Sequence, residues 1–343
     1  MIMDEKFMKR CLLLARKGLG MAAPNPMVGA LAVCQGIIIG EGYHKEYGRE
    51  HAEVNAINSV RDKSKLSEST LYVNLEPCAH HGKTPPCTDI IRKYKIPKVV
   101  IGAFDDNPNV AGNGIKVLQD GGCKVIHGIL EDECRTLNKR FYTFHKKKRP
   151  YVILKWAQTP DGFIAPEPAK QEWITGELSK KLVHKWRTEE AAILVGTNTV
   201  LVDNPALTAR EWDGKNPIRI LLDFNNRIDQ QFKVFDNAAN TLVYNSTKEG
   251  QKDNVEYILL EKKGNSLDLM MADLYRRGIS SIIIEGGKKI LDSFISNGLW
   301  DEARVFTGTK NFGSGLSAPV LQCHASEKET VGDDILNLYR NTN

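Results

Sequence analysis

Apolar residues recur along this chain in two rhythms, a helical spacing and short continuous runs, separated by polar and glycine- or proline-bearing turns. Phe7, Met8, Cys11, Leu12, Leu14 and Ala15 fall at helical spacing between Asp4 and Arg16, with Asp4 placed to cap and Gly18 to stop the helix. After the rigid turn Pro24-Asn25-Pro26-Met27-Val28-Gly29, Val28 to Val33 and Ile37 to Glu41 read as strands joined through Gln35-Gly36. A helix is expected from His51 to Val60, a buried strand over Thr70 to Leu75, and a helix over Thr88 to Tyr94 entered at Cys87. Strands over Lys98 to Ile101 and Lys124 to Ile126 follow. The alternation predicts a three-layer α/β sandwich.

The charged run His145-Lys146-Lys147-Lys148-Arg149-Pro150 breaks the pattern and reads as a solvated linker rather than a nucleic-acid patch. Beyond it, Tyr151 to Trp156, Ala191 to Val195, Ile218 to Leu222, Thr241 to Tyr244, Val255 to Leu260 and Ser281 to Ile284 are strand-like runs between helical patterns. The clearest of those helices spans Ser266 to Arg277, with Leu267, Met270, Met271 and Leu274 on one face. Two α/β domains are therefore expected, 1–147 and 150–343, each long enough to bury its own core.

Composition changes this picture only at the margins. The hydrophobic fraction of 41% and charged fraction of 26% are those of a globular protein, and no run approaches the roughly 18 apolar residues of a membrane span. Met1-Ile2-Met3-Asp4-Glu5 lacks a basic segment followed by an apolar one, so the expected location is cytoplasmic. A formal charge of +5 suits a phosphate-bearing small substrate as well as nucleic acid. Seven cysteines, an odd number, favour thiols and metal ligands over a disulfide framework. Only Cys78 and Cys87 have a ligand-like setting; Cys11, Cys34, Cys123, Cys134 and Cys323 read as buried or indifferent thiols.

The candidate chemistry of the first half is His51-Ala52-Glu53 followed by Pro77-Cys78 and Pro86-Cys87. One imidazole and two thiolates hold zinc with a fourth position open for water, and a glutamate two residues from the histidine reaches that water without ligating. This is the arrangement of zinc deaminases acting on amino-substituted rings. A structural zinc would need a fourth protein ligand, which His80 or His81 could supply, but Glu53 would then have no reason to stand beside His51. The interval from Ala79 to Pro86 is long for such a site and offers His80, His81, Lys83 and Thr84 beside the metal. Asn25, flanked by prolines, either closes a turn or faces the substrate.

In the second half, neither a G-x-G-x-x-G fingerprint nor a P-loop is present. Ser281-Ile282-Ile283-Ile284-Glu285-Gly286-Gly287-Lys288 reads as a strand, a glycine pair, then a helix through Ile290, Leu291, Phe294 and Ile295. Glycines there either make a plain tight turn or let a phosphate approach the free N–H groups, with Lys288 adding charge.

Taken together, Pro24-Asn25-Pro26-Met27-Val28-Gly29, His51-Ala52-Glu53 and Glu76-Pro77-Cys78-Ala79-His80-His81-Gly82-Lys83-Thr84-Pro85-Pro86-Cys87 closely resemble the bifunctional riboflavin biosynthesis deaminase/reductase family. The likeness continues through Lys155-Trp156-Ala157, Asp161-Gly162, Trp173-Ile174-Thr175, Arg187, Val195-Gly196-Thr197, Thr199, Asp203-Asn204-Pro205, Leu207-Thr208, Arg210 and Glu285-Gly286-Gly287. It implies a cytidine-deaminase-like α/β/α domain followed by a dihydrofolate-reductase-like α/β domain. It implies one zinc ion per chain on His51, Cys78 and Cys87, with Glu53 catalytic, and substrate contacts from Asn25, His44 and Lys83; Thr84 joins them by position. The implied NADPH site is Ala157, Trp173, Thr199, Asp203, Gly286, Gly287 and Lys288. Lys155, Gln171, Arg187, Leu207, Arg210 and Glu285 would face the second substrate, the two arginines suiting its phosphate. The chain departs from the family at Pro160, over Pro166 to Lys170 and at Phe224.

The implied reactions are zinc-dependent hydrolytic deamination of 2,5-diamino-6-(5-phosphoribosylamino)pyrimidin-4(3H)-one, then NADPH-dependent reduction of the ribosyl group of 5-amino-6-(5-phosphoribosylamino)uracil. The expected partner is a small phosphorylated pyrimidine, with no nucleic acid and no membrane, on a homo-oligomer. A nucleotide or tRNA base deaminase with an inactive reductase-like domain is the alternative, and would call for a basic, aromatic-lined groove. A zinc-stabilised binding module is the non-enzymatic one.

Overall fold

Alternate residues of one strand, Gly29–Cys34, point to two different helical layers, and this sets the architecture of the N-terminal half. The computed structural model describes residues 2–105, 112–168, 172–261 and 264–341 and divides the chain into two compact units, Met1–Lys148 and Arg149–Asn343. In chain order the first unit comprises α1 (Ile2–Ala15), β1 (Gly29–Cys34), β2 (Ile37–Tyr43), α2 (Ala52–Ser59), β3 (Thr70–Leu75), α3 (Cys87–Lys93), β4 (Lys98–Ala103), α4 (Asn113–Asp120), β5 (Lys124–Ile126), α5 (Glu131–Leu137) and α6 (Lys139–Lys147). Its sheet runs β2-β1-β3-β4-β5, antiparallel on both sides of β1 and parallel from β3 to β5. Leu31 and Val33 pack with Phe7, Met8, Cys11 and Cys134 from α1 and α5. Ala30 and Ala32 pack with Ala56, Ile57, Ile91 and Leu118 from α2, α3 and α4, which completes three layers.

Two expectations need correction here. Asp4 does not cap α1, which begins at Ile2; it lies in the first turn and accepts the Tyr72 hydroxyl at 2.7 Å. The charged run is not simply a solvated linker either. His145 to Lys147 end α6, His145 packs on Phe141 with ring centroids 4.5 Å apart, and Arg149 is buried against Asp301 at 2.6 and 2.9 Å. A buried arginine is tolerated there because both carboxylate oxygens pair with its fork.

The second unit comprises β6 (Tyr151–Gln158), β7 (Phe163–Pro166), α7 (Glu177–Glu189), β8 (Ala192–Gly196), α8 (Thr197–Asp203), β9 (Ile218–Leu222), β10 (Thr241–Asn245), β11 (Gly250–Lys252), β12 (Val255–Leu259), α9 (Ser266–Arg276), β13 (Ser281–Gly286), α10 (Lys288–Ser296), β14 (Glu302–Thr307), β15 (Gly315–Ser317), β16 (Glu327–Val331) and β17 (Asp334–Arg340). The large sheet has the order β11-β12-β10-β9-β8-β13-β6-β14-β17-β16, parallel from β12 to β14 and antiparallel at both edges. Ile282 and Ile284 face a core with Met270, Leu274, Leu291 and Phe294 of α9 and α10. Ile283 faces the opposite core with Val183, Trp186 and Val200 of α7 and α8. The strands β8, β9 and β10 step away from β6 on one side, β13 returns between β6 and β8, and β14 steps to the other side. In such sheets ligands bind beyond the carboxyl ends of the strands where the order reverses, here at the end of β13.

Candidate active sites

Helix α2 approaches β2 so closely that only glycine fits beneath it. A methyl group at Gly42 would lie 2.3 Å from the Ala56 nitrogen and 2.6 Å from the Ala52 oxygen. This contact fixes the start of α2, where His51 is the extended residue preceding the helix and Glu53 sits buried in its first turn. At the other end, Lys63 Nζ donates to the carbonyls of Ile57, Asn58 and Val60 at 2.7, 2.8 and 2.6 Å.

The two cysteines reach the same point from β3 and α3. Cys87 opens α3, and its N–H donates to Cys78 Sγ at 3.4 Å. His51 Nδ1 lies 3.2 Å from Cys87 Sγ and 3.5 Å from Cys78 Sγ, so Nδ1 is the ring nitrogen turned toward both sulfurs. The three ligand atoms lie within 4.8 Å of one another, and among the described residues neither His80 nor His81 joins them. This is a three-donor set of the kind that suits zinc with an open position. Burial pushes the Glu53 carboxyl up to about 7, against the pull of His51. The hydrogen bond from Cys87, with His51 nearby, brings Cys78 down to about 4 despite burial.

Asn25 and His44 meet beside this centre. Asn25 Nδ2 is 3.1 Å from His44 Nε2, which therefore accepts, and the proton on Nδ1 is donated to the Glu50 carbonyl at 3.1 Å. Burial lowers the His44 pKa, and its ring stands edge-on to His51 with centroids 5.3 Å apart. Lys83 is exposed, with Nζ 4.0 Å above the Tyr47 ring. Thr84 is half-buried, and its carbonyl accepts the Gly82 N–H at 3.2 Å.

Sequence reading missed the residues that hold these groups in place. The buried amides of Asn74 and Asn138 clamp the Pro24 to Gly29 turn: Met27 N–H donates to Asn138 Oδ1 at 2.8 Å, and both amide nitrogens donate to the Met27 carbonyl at 3.1 and 3.0 Å. Glu76, immediately before Pro77-Cys78, accepts from the N–H groups of Gly112, Gly114 and Ile115 at 3.1, 3.0 and 3.3 Å, tying the cysteine turn to the start of α4. The one available signal was a carboxylate adjoining a metal-ligand turn.

In the second unit, Lys155 on β6, Arg187 on α7 and Glu285 on β13 converge at the switch point. Arg187 grips Glu285 through Nε at 2.8 Å and Nη2 at 2.7 Å, and Lys155 Nζ lies 3.7 Å away. Burial alone would raise Glu285, but Arg187 and Lys155 outweigh it and hold the carboxyl at about 2. Burial also lowers the Lys155 pKa, opposed by Glu285. Arg187 Nη1 donates to the Thr208 carbonyl at 3.0 Å, beside the buried Leu207 at φ 54. The Arg187 fork is committed in this way to Glu285 and the Thr208 carbonyl, whereas the Arg210 side chain is exposed.

Gly286, at φ 135, and Gly287 precede α10, and a methyl at Gly287 would lie 3.2 Å from Thr199 Oγ1. The shallow cradle between the glycine pair and Thr199 is one a Cβ would fill, as close approach of a phosphate-bearing cofactor requires. Lys288 Nζ donates to Asp292 at 2.8 Å. Asp203 ends α8 half-buried, with its pKa raised by burial. Ala157 lies on β6 two residues beyond Lys155, and Trp173 is 58% exposed. Gln171 lies outside the described residues.

Residues 1–103 match the family described as the cytidine and deoxycytidylate deaminase zinc-binding region, and residues 150–335 match the RibD C-terminal domain. The riboflavin biosynthesis protein RibD of Aquifex aeolicus is 38% identical, with 98% of each chain covered. The chain belongs to the RibD family. RibD of Escherichia coli is 35% identical over 91% of this chain and 89% of its own. A crystal structure of a Thermotoga maritima diaminohydroxyphosphoribosylaminopyrimidine deaminase/5-amino-6-(5-phosphoribosylamino)uracil reductase superposes with a TM-score of 0.91 at 41% identity, covering 99% of both chains. RibD of Acinetobacter baumannii gives 0.90 at 29% identity, covering 100% of this chain and 99% of its own.

As a RibD family member the protein is a bifunctional enzyme of riboflavin biosynthesis, a zinc-dependent deaminase joined to an NADPH-dependent reductase. Because RibD relatives match both halves, the reading as a base deaminase with an inactive appendage is not favoured.

Proposed function

We propose that residues 1–147 deaminate the diaminopyrimidinone carrying a phosphoribosylamino group and that residues 150–343 reduce the ribosyl chain of the resulting aminouracil. The observation that carries this reading is the presence in one chain of two constellations. One is the His51, Cys78 and Cys87 donors beside buried Glu53; the other is the Lys155, Glu285 and Arg187 cluster at the sheet's switch point.

His51, Cys78 and Cys87 would hold the zinc, which when bound would supply a water acidic enough to serve as the hydrolytic nucleophile at neutral pH. Glu53, with its proton affinity raised to about 7, would carry one proton of the water to the ring nitrogen and then the proton of the added hydroxyl to the amino group, which leaves as ammonia as the carbonyl forms. Asn25 and His44 contact the pyrimidine, His44 orienting the Asn25 amide, while Lys83 and Thr84 contact the same substrate from the long interval, Lys83 steadied over Tyr47. In the reductase half, NADPH supplies the hydride. Ala157, Trp173, Thr199, Asp203, Gly286, Gly287 and Lys288 line its site. Lys155, Gln171, Leu207 and Glu285 face the sugar, Arg187 holds Glu285 as a carboxylate, and Arg210 takes the phosphate.

The reading extends to a cytoplasmic homo-oligomer without a nucleic-acid partner. The charged run that offered a nucleic-acid patch is partly helical, with Arg149 buried. None of the described helices is long and apolar enough to cross a membrane. Sedimentation of the purified chain tests the assembly.

Replacing Glu53 by glutamine tests the deaminase assignment. Ammonia release should fall by about 10²–10⁴-fold while zinc stays at one per chain, and retained turnover would sink the proposed proton path. Arg210→Gln tests the phosphate assignment through a raised KM for the phosphorylated aminouracil at saturating NADPH.

A further inference from the structure

The segment between α8 and β9 carries two of the residues placed around the second substrate, Leu207 and Arg210, and the Thr208 carbonyl that accepts from Arg187, yet it is neither helix nor strand. It contains Asn204 at φ 41 and Leu207 at φ 54, non-glycine residues in a left-handed conformation that surrounding contacts must impose. Most of those contacts are visible up to residue 209. Lys233 N–H donates to Asn204 Oδ1 at 2.9 Å, Arg219 Nε to the Ala206 carbonyl at 3.0 Å, Arg187 Nη1 to the Thr208 carbonyl at 3.0 Å, and Ala209 N–H to Asn216 Oδ1 at 2.9 Å. Leu207 and Ala209 are also buried. Arg210, the residue that must meet a mobile dianion, has an exposed side chain.

Glu211 supplies the next anchor. Its Oε1 lies 3.0 Å from Lys180 Nζ and 3.6 Å from Nε2 of the buried His184, both on α7, and 3.9 Å from Arg210 Nη2. Lys180, His184 and Arg187 are spaced at i, i+4 and i+7, so one stripe of α7 grips the segment at Glu211 and at Thr208 and continues to Glu285. Lys180 also lies over the Trp173 ring at 5.3 Å.

We propose that Glu211 is a positioning residue of the reductase half, docking the 204–211 segment onto α7 so that Arg210 is held where the substrate phosphate arrives. The inference rests on the assignment of Arg210 to that phosphate. It opposes the simpler electrostatic expectation. Deleting the Glu211 charge removes the carboxylate shared by Lys180, His184 and Arg210, leaving Lys180 only Glu177 at 3.8 Å; by charge alone this would attract a phosphate more strongly and lower KM. Positioning predicts the reverse.

The test is steady-state reduction of 5-amino-6-(5-phosphoribosylamino)uracil by the full-length, zinc-loaded enzyme, comparing Glu211→Gln, Glu211→Asp and Arg210→Gln with wild type. Glu211→Gln should raise KM for the phosphorylated substrate by roughly threefold to tenfold, with kcat and the KM for NADPH within about twofold of wild type. Glu211→Asp, which keeps the charge for the flexible Lys180, should recover most of that loss. A KM that is unchanged or lower in Glu211→Gln, or an aspartate variant no better than the glutamine one, would overturn the inference. If Arg210→Gln raises KM while Glu211→Gln does not, only the role of Glu211 falls. If Arg210→Gln leaves KM unchanged, the phosphate assignment falls and this inference with it.

Discussion

Glu53 and Glu285 are both buried carboxylates, and their surroundings drive them in opposite directions. Around Glu53 burial dominates, and the proton affinity rises to about 7, a value suited to taking up and returning a proton near neutrality. Around Glu285 burial is outweighed by the Arg187 fork and Lys155, and the pKa falls to about 2. A carboxylate whose folded pKa lies below its unfolded value of about 4.3 contributes stability that is fully present above that value and is lost as pH falls toward the folded pKa. Glu285→Gln should therefore destabilise the reductase unit by about 3–5 kcal/mol at pH 7, since it leaves two buried cations without their partner. Thermal melts of the full chain should show that difference from wild type shrinking between about pH 4.3 and about pH 2. A difference independent of pH across that window would mean that Glu285 is not held ionised by this cluster.

At the scale of elements, α2 and α7 carry the two sites, and each is placed by a contact remote in sequence. Gly42→Ala would drive a methyl into the backbone of α2, with Ala56 N at 2.3 Å. Overpacking of this kind costs about 1–3 kcal/mol, and here the displaced element bears His51 and Glu53. The variant should lose zinc and ammonia release while keeping NADPH oxidation on supplied aminouracil; unchanged zinc content would show that α2 can shift without disturbing the donors. The start of α7 is capped from β17, where Asp334 accepts the Gly176 N–H at 2.8 Å and the Ser179 hydroxyl at 2.6 Å. Asp334→Ala should cost about 0.5–2 kcal/mol and lower reductase kcat/KM, because the helix that grips Glu285 begins there. These contacts also mark where sequence reading stops. The strands Thr70–Leu75 and Ile218–Leu222 carry the bounds their apolar runs suggest, because a strand buried on both faces leaves a local signature. The zinc donors were legible for a similar reason, since ligand chemistry restricts residue type and spacing. Asp334, Asn74, Asn138 and Glu211 were not. Their partners are backbone groups or side chains far away along the chain, and any polar residue on the surface would look the same. The end of α6 was misread because three consecutive basic residues mask the apolar face formed by Phe141, Tyr142 and Phe144.

Across the whole molecule, each polar constellation is built from residues of its own unit: Asn25 to Cys87 in the first, Lys155 to Glu285 in the second. With each constellation drawn from its own unit among the described residues, the two reactions should be separable by single substitutions in the intact chain. The order of the chemistry then gives an asymmetric pattern. Deamination consumes only water, so ammonia release from the diaminopyrimidinone should proceed at the same rate with and without NADPH. Reduction acts on the deaminated ring, so NADPH consumption from that starting compound should vanish in Glu53→Gln and return when the aminouracil is supplied. Glu285→Gln should show the converse, releasing ammonia at the wild-type rate without oxidising NADPH on either compound. Ammonia and NADPH followed separately in one assay distinguish these cases. NADPH oxidation by Glu53→Gln on the diaminopyrimidinone would show that the reductase cluster accepts the ring before its amino group is lost, and would break the sequence of steps derived from the two sites.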